Sequence, residues 1–323
     1  MTYGFLDLAF DVLKKAPTPL TYQEIWDAGK SSGLTAKLKT AGKTPWQSIG
    51  AYLYVDVRDN PNSRFVKVGK RPARFFLKER AAEITPESVK KIEEEGEKQK
   101  PTSSGQYREK DLHPLLTYFA YANPGFNRGR SVYTKTMLHE GSAKGGYNEW
   151  VHPDMVGFYL PIEDWHTDVF KFNRLADNNL LRLFSFELKR SLGKSTYREA
   201  YFQAVSNSSW AHEGYLVAAE ILQDDDFLAE MERLVTSFGI GLIQIDLEDI
   251  GSSRVLYPAR VRQSLDWETI NKLCELNPDF RGFIQNISVA VESKRIFKAE
   301  YEAVPPDPQK YIAEKMKVHV AGG

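Results

Sequence analysis

The chain has 323 residues, of which 42% are hydrophobic and 12% aromatic, and its 43 Lys and Arg balance 43 Asp and Glu. This composition is typical of a globular protein long enough for two domains and excludes a disordered or fibrous chain. We find no apolar run of about 18 residues and no basic N-terminal region followed by an apolar segment, so we expect a cytoplasmic protein without membrane contact. The single cysteine, Cys274, excludes intrachain disulfides and thiolate zinc sites.

The charges are distributed unevenly along the chain. Residues 1–80 contain 14 Lys and Arg against 7 Asp and Glu, whereas residues 111–323 contain 23 against 29. A basic module joined to a mildly acidic body favours a protein in which one part attracts nucleic acid and the other holds cation-binding carboxylates. A solvated charged face remains the alternative interpretation.

The first 80 residues show the pattern of a winged helix. Apolar spacing predicts helices over 3–15, from Thr21 to Gly29 and from Pro45 to Tyr54. Two short apolar runs follow, Phe65–Val68 and Arg74–Leu77, and their turn-rich connection predicts a hairpin. In such a fold the third helix reads the major groove.

Basic and polar residues surround the predicted third helix and the hairpin. We expect them to contact the backbone or bases of duplex DNA. They are Lys37, Lys39, Lys43, Thr44, Gln47, Arg64, Lys67, Lys70 and Arg71.

This part of the sequence resembles the HARE-HTH domain, a winged helix found in restriction-linked proteins, chromatin regulators and RNA polymerase delta subunits. The resemblance lies in the strings FLDLAFDVL from Phe5, PLTYQEIW from Pro19, TPWQSIGAYLY from Thr44 and FVKV from Phe65. It implies duplex DNA binding or, as in some relatives, a role in protein interaction. We assign residues 1–80 to this module.

Residues 81–105 are rich in charge and poor in apolar residues, which predicts a linker that lets the winged helix move relative to the body. Residues 106–323 form the second predicted domain. Its pattern predicts alternating helices and strands around a mixed sheet. The helices are expected at 109–121, 162–178, 197–206 and 225–238, and the strands at 131–138, 149–157, 183–190, 215–219 and 240–245.

Two of these predicted strands carry acidic residues at or near their ends. The first carries Pro153 and Asp154 at or near its end, and the second carries Glu187, Leu188 and Lys189 at or near its end. Side chains alternate faces along a strand, so Glu187 and Lys189 point to one side. If the two strands pair, both carboxylates and the ammonium converge. That set suits a divalent cation, a hydrolytic water and a scissile phosphate.

The order helix, strand, strand, helix, strand resembles the PD-(D/E)xK core of restriction endonucleases. Together with the N-terminal module it is similar to restriction-associated HrgA-like proteins of bacteria. The resemblance implies an α/β restriction-endonuclease-like fold, with Mg²⁺ or Mn²⁺ held by Asp154, Glu187 and the backbone carbonyl of Leu188. Lys189 would orient the attacking water and stabilise the charge that develops on the phosphorane.

Four further residues have two interpretations each. Glu109 is either a catalytic acid completing the site or a first-turn acid favoured by the helix dipole. Gln203 would contact the water or the DNA backbone, or serve as an ordinary polar helix residue. His152 would act as a ligand or general acid, or as a hydrogen-bonded neighbour. Lys144 would touch phosphate, or remain an exposed loop lysine.

These observations predict a Mg²⁺-dependent DNA endonuclease, in which the winged helix engages double-stranded DNA and the α/β domain hydrolyses it. A bacterial restriction or defence system, with its partner proteins, is the expected setting. Cutting both strands usually needs two active sites, which favours a homodimer. The alternative is a non-catalytic DNA-binding regulator or sensor that uses a nuclease-like domain to bind a partner.

Overall fold

The structure, a computed structural model, describes residues 3–38, 45–69, 73–85, 107–127, 130–138, 152–162 and 180–316, with a few isolated positions between them. Its N-terminal part contains three helices and a hairpin, as the apolar pattern predicts. These elements are α1 (Phe5–Leu13), α2 (Tyr22–Ser31), α3 (Pro45–Asp59), β1 (Phe65–Val68) and β2 (Arg74–Leu77).

Local signals explain where these elements begin and pair. Thr21 Oγ1 accepts from the N–H of Glu24 at 3.2 Å, and the Glu24 carboxylate accepts from the N–H of Thr21 at 2.8 Å. This capping box satisfies two of the donors that a helix start leaves unpaired. The hairpin pairs Phe65 with Leu77, and the three helices bury Leu8 and Ile25 in a shared core.

The body consists of a six-stranded mixed sheet with helices on both faces. Its elements are α4 (His113–Ala122), α5 (Pro124–Asn127), β3 (Tyr133–Thr136), β4 (Met155–Tyr159), β5 (Arg182–Leu192), α6 (Tyr197–Ser206), β6 (Glu213–Ile221), α7 (Asp225–Phe238), β7 (Gly241–Gln244), β8 (Arg254–Tyr257), α8 (Trp267–Leu276), α9 (Pro278–Ser293) and α10 (Pro308–Lys315). A short 3₁₀ helix, Glu109–Leu112, leads into α4.

The strands lie in the order β3-β4-β5-β6-β7-β8. The pairs β5-β6 and β6-β7 are parallel, and the outer pairs are antiparallel. Alternation along β4 sends Met155 into the core beneath α4 and Val156 into the core beneath α8 and α9. Helices α6 and α7 cover β6 and β7, around Leu216 and Leu242.

Three differences between the predicted and observed element boundaries affect the candidate site. Asp154 does not end a strand: it immediately precedes β4, which begins at Met155 where pairing with Phe186 of β5 starts. Glu187 and Lys189 lie within β5 rather than at its end, because β5 continues to Leu192 along β6. The helix expected over 109–121 is a 3₁₀ turn followed by α4, with Pro114 in its first turn.

Most of the predicted linker and of the helix expected at 162–178 lies outside the described residues. Within the described part of the chain, no helix is both long and apolar enough to cross a bilayer.

The winged helix packs against the body, although the charged linker predicts that it is free to move. Helix α3 contacts α4, α5 and the turn 250–252. The Tyr54 hydroxyl donates to Asp249 Oδ1 at 2.5 Å, and Lys67 Nζ lies 3.0 Å from Asp249 Oδ2. Tyr54, on α3, lies so close to Gly251 that a Cβ built at Gly251 would overlap the Tyr54 ring.

This close approach predicts that Gly251→Ala disrupts the domain contact. The added methyl group cannot be accommodated without moving Tyr54, and overpacking of this kind costs about 1–3 kcal/mol. We expect faster amide hydrogen exchange in the second half of α3 and a lower urea midpoint. The matched control is Gly193→Ala, where a Cβ would meet nothing within 4 Å. If Gly251→Ala and Gly193→Ala had the same hydrogen exchange and the same urea midpoint, the proposed contact between Gly251 and Tyr54 would be wrong.

Candidate active site

Asp154 is held against β5 by a backbone hydrogen bond. Its Oδ2 accepts from the N–H of Leu188 at 2.7 Å. This contact forms because β4 stops pairing with β5 at Met155 and Phe186, so the next backbone donor on that edge of β5 meets a side chain instead of a strand. The N–H and the C=O of one strand residue point to the same edge. The Leu188 carbonyl therefore points to the side on which Asp154 lies.

Glu187 is a buried carboxylate on the same strand, with 1% of its surface exposed. Its Oε1 accepts from Lys189 Nζ at 2.9 Å and its Oε2 from Asn207 Nδ2 at 3.1 Å. Burial, and then the neighbouring Asp154 charge, raise the pKa of Glu187 to about 7, although Lys189 and Asn207 oppose the rise. The two carboxylates are therefore close enough to repel each other.

Lys189 links the buried carboxylate to the surface, and 21% of its side chain is exposed. Its Nζ lies 2.9 Å from Glu187 and 3.9 Å from Glu109 Oε2. Desolvation acts to lower the pKa of Lys189, but attraction to Glu187, Asp154 and Glu109 outweighs it and raises the pKa. The ammonium is therefore protonated at neutral pH. Glu187 and Lys189 meet because they are two positions apart on β5 and so lie on the same face, as their spacing in the sequence predicts.

A cleft of about 540 Å³ opens in front of Lys189. Glu109 lines it from the 3₁₀ turn before α4, and Gln203 lines it from α6. The structure thus brings together all five residues proposed as catalytic from the sequence: Asp154 and Glu187 behind Lys189, and Glu109 and Gln203 around it. Their roles remain predictions.

Sequence reasoning misses three neighbouring residues. Arg190 and Glu199 also line the cleft. Glu199 precedes Gln203 by four positions on α6, and this spacing, which places both on one face of the helix, is the signal that would have found it. Asn207 gives no such signal, because it reaches Glu187 only through the packing of the end of α6 on β5.

The donor set fits a hard divalent cation. Asp154 and Glu187 supply carboxylates, and the Leu188 carbonyl points to the same side. No group of three or more His, Cys, Asp or Glu side chains able to hold a metal occurs among the described residues. Mg²⁺ is commonly held by one or two carboxylates and keeps several waters, so the donors present suffice for it. The raised pKa of Glu187 is consistent with a carboxylate that gains a cation as partner.

The structure describes the side chains of three of the predicted nucleic-acid contacts. Lys37 is exposed with its Nζ over the Tyr3 ring, Arg64 pairs with Asp7 at 3.3 Å, and Lys67 pairs with Asp249. For Gln47 the structure describes only the backbone, within α3. The others, Lys39, Lys43, Thr44, Lys70, Arg71 and Lys144, lie outside the described residues. His152 lies half-buried two positions before Asp154, and its role stays a prediction.

Residues 4–77 match the HARE-HTH family, a helix-turn-helix domain whose description names ASXL proteins and restriction endonucleases. Searches of curated proteins and of solved structures found no match to the chain. The matched range covers α1 to β2, which are the three helices and the hairpin described above. Residues 4–77 are therefore a HARE-HTH domain, a helix-turn-helix module that indicates DNA binding.

Proposed function

We propose that the protein is a Mg²⁺- or Mn²⁺-dependent DNA endonuclease, in which the HARE-HTH domain engages duplex DNA and the α/β body hydrolyses a phosphodiester bond. One observation carries the proposal. Glu109, Lys189 and Gln203, from three separate parts of the chain, line one cleft beside the sheet, and the carboxylates of Asp154 and Glu187 lie behind Lys189 of β5. A buried carboxylate, Glu187, with the half-buried Asp154 and a protonated lysine beside it lowers stability relative to an apolar core of the same volume, which favours a functional role.

The side chains have separate tasks in this proposal. Asp154 and Glu187, with the Leu188 carbonyl, would hold the cation, which when bound supplies charge neutralisation and a more acidic water. Lys189 donates its protons toward the phosphate oxygens, where negative charge grows during attack. Glu109 lies 3.9 Å from the Lys189 ammonium and restrains its position. Gln203 lines the cleft with an amide that hydrogen-bonds a water or a phosphate oxygen.

The HARE-HTH domain gives the proposed enzyme its hold on DNA. In helix-turn-helix proteins the N-terminal residues of the recognition helix contact the bases. Here the C-terminal half of α3 packs on the body, through Tyr54, Val55 and Arg58. These three contacts lie in the C-terminal half of α3, whereas recognition of bases in this geometry uses the N-terminal half. The family description names restriction endonucleases, which supports a role in restriction or defence.

The test is cleavage of supercoiled plasmid by the purified chain with Mg²⁺, with Mn²⁺ and with EDTA. We expect nicked and linear products only with the cations. Linear product formed directly would support the homodimer that a double-strand break requires. Failure to cut plasmid under any of these conditions, with DNA binding retained, would favour a DNA-binding regulator whose body serves a partner.

A further inference from the structure

We infer that the HARE-HTH domain carries an anion-binding site, formed by the Tyr54 hydroxyl and the Lys67 ammonium, and that Asp249 of the body occupies it in place of a backbone phosphate of nucleic acid. The inference concerns how DNA binding is regulated. It rests on the proposed DNA binding by the winged helix and is independent of cleavage.

The geometry around Asp249 is that of a filled anion site. Oδ1 accepts from Tyr54 at 2.5 Å, and Oδ2 accepts from Lys67 at 3.0 Å and from Ser252 Oγ at 2.8 Å. Two of these three donors belong to the winged helix and lie on different elements, α3 and β1. Only 9% of the Asp249 side chain is exposed, so the donors surround it. A hydroxyl and an ammonium aimed at one point suit a phosphate oxygen as well as a carboxylate oxygen.

The Tyr54 hydroxyl is held in its protonated form, and the Lys67 ammonium is held in position beside it. Burial, and then the charge of Asp249, raise the pKa of Tyr54 well above its ordinary value, so the hydroxyl keeps its proton. Lys67 Nζ also lies 5.1 Å from the centre of the Tyr54 ring, a cation–π contact that holds the ammonium beside the hydroxyl. The contact between Lys67 and Tyr54 therefore lies within the winged helix, between β1 and α3.

The body presents Asp249 on a rigid turn. Asp246 Oδ1 accepts from the N–H groups of Glu248 and Asp249, each at 2.9 Å, and the Asp246 N–H donates to Ser253 Oγ at 2.9 Å. These hydrogen bonds hold the turn in the conformation that places the Asp249 carboxylate against Tyr54 and Lys67. Lys67, a residue expected from the sequence to contact DNA, is paired with Asp249 while the domains are docked, so a phosphate competes with Asp249 for it.

This competition predicts that removing the charge of Asp249 strengthens DNA binding. In Asp249→Asn the side chain keeps its shape and an acceptor for Tyr54, but Lys67 becomes available to one phosphate. One additional phosphate contact changes the salt dependence of log K by about −0.9, equivalent to about an eightfold gain in affinity at 0.1 M salt. The measurement is fluorescence anisotropy with a random-sequence duplex of about 30 base pairs, roughly three turns of the helix, in EDTA, as a function of salt.

Two controls separate this site from general electrostatics. Glu248→Gln removes an equal charge from the exposed neighbouring position and should change affinity less than twofold. Adding Lys67→Ala to Asp249→Asn should abolish the gain. Equal gains in Asp249→Asn and Glu248→Gln, an unchanged or weaker affinity in Asp249→Asn, or no duplex binding by any variant would each overturn the inference. Because EDTA prevents metal-dependent cleavage, these outcomes do not depend on whether the body is a nuclease.

Discussion

Lys189→Met should lower the rate of metal-dependent DNA cleavage by about 10²–10³, the loss seen when one stabilising donor is removed from an active site. Methionine keeps the apolar stem of the side chain and removes only the ammonium. The ammonium lies at the cleft with 21% of its side chain exposed, and its raised pKa keeps it charged. Its loss should reduce kcat and leave DNA affinity nearly unchanged, because in the proposed function the winged helix binds the DNA.

Lys194→Met is the matched control for this experiment. Lys194 lies just beyond the same strand and pairs with Asp224 at the surface, at 3.1 Å. The variant removes an equal charge without touching the cleft, so its cleavage rate should fall less than about threefold, as expected for a surface ion pair. Duplex affinity measured with Ca²⁺ and far-UV circular dichroism should match wild type in both variants. If Lys189→Met cut plasmid as fast as Lys194→Met, the assignment of this cleft as the active site would be wrong.

Features that depend only on neighbouring residues in the sequence can be predicted from it. Two-residue alternation places Glu187 and Lys189 on one face of β5, and the capping residues at Thr21 and Glu24 locate the start of α2. The position of Asp154 is predicted only in outline. The sequence pattern ends a strand there, whereas β4 begins there, since the strand boundary depends on where β5 can pair and not on local apolar content.

Contacts between distant segments cannot be predicted in this way. Asn207 reaches Glu187 because the end of α6 packs over β5, and no pattern around Asn207 specifies that crossing. Tyr54 and Asp249 are 195 positions apart, and their contact depends on how the winged helix docks. The linker composition predicts independent movement, but composition carries no information about the surfaces that the two ends of a linker present to each other.

The stability of the metal-free protein should decline between pH 4.5 and about pH 7 because of Glu187. Burial, with the charge of Asp154 beside it, raises the pKa of Glu187 from 4.5 to about 7 in the folded protein. Between these values the unfolded chain has released a proton that the folded protein keeps. The free energy of unfolding therefore falls as pH rises through this window, and the effect is constant above pH 7. At about 1.4 kcal/mol per pH unit, the decline should reach ~3 kcal/mol at most.

The comparison with Glu187→Gln isolates this contribution from other titrating groups. His212 acts in the opposite direction, because burial lowers its pKa to about 4 in the folded protein. Its contribution makes the free energy of unfolding rise with pH between about 4 and 6.5, the ordinary pKa of histidine. That contribution is present in both proteins and cancels in the difference. Urea denaturation in EDTA from about pH 4.5 to 8 should show wild type losing stability relative to Glu187→Gln as pH rises. A difference in the free energy of unfolding between the two proteins that stays constant over this range would show that folding does not raise the pKa of Glu187.

The same protonation equilibrium predicts how a divalent cation should act. Ionisation of the buried Glu187 carboxylate is unfavourable in the folded protein, and a bound cation would offset that cost. A proton competes with the cation for the same carboxylate. Added Mg²⁺ should therefore raise the urea midpoint of wild type more at about pH 7.5 than at about pH 5.5. Asp154→Asn should lose most of this stabilisation, whereas Glu248→Gln, outside the site, should keep it. A pH-independent effect of Mg²⁺ that survives in Asp154→Asn would place the cation elsewhere on the protein.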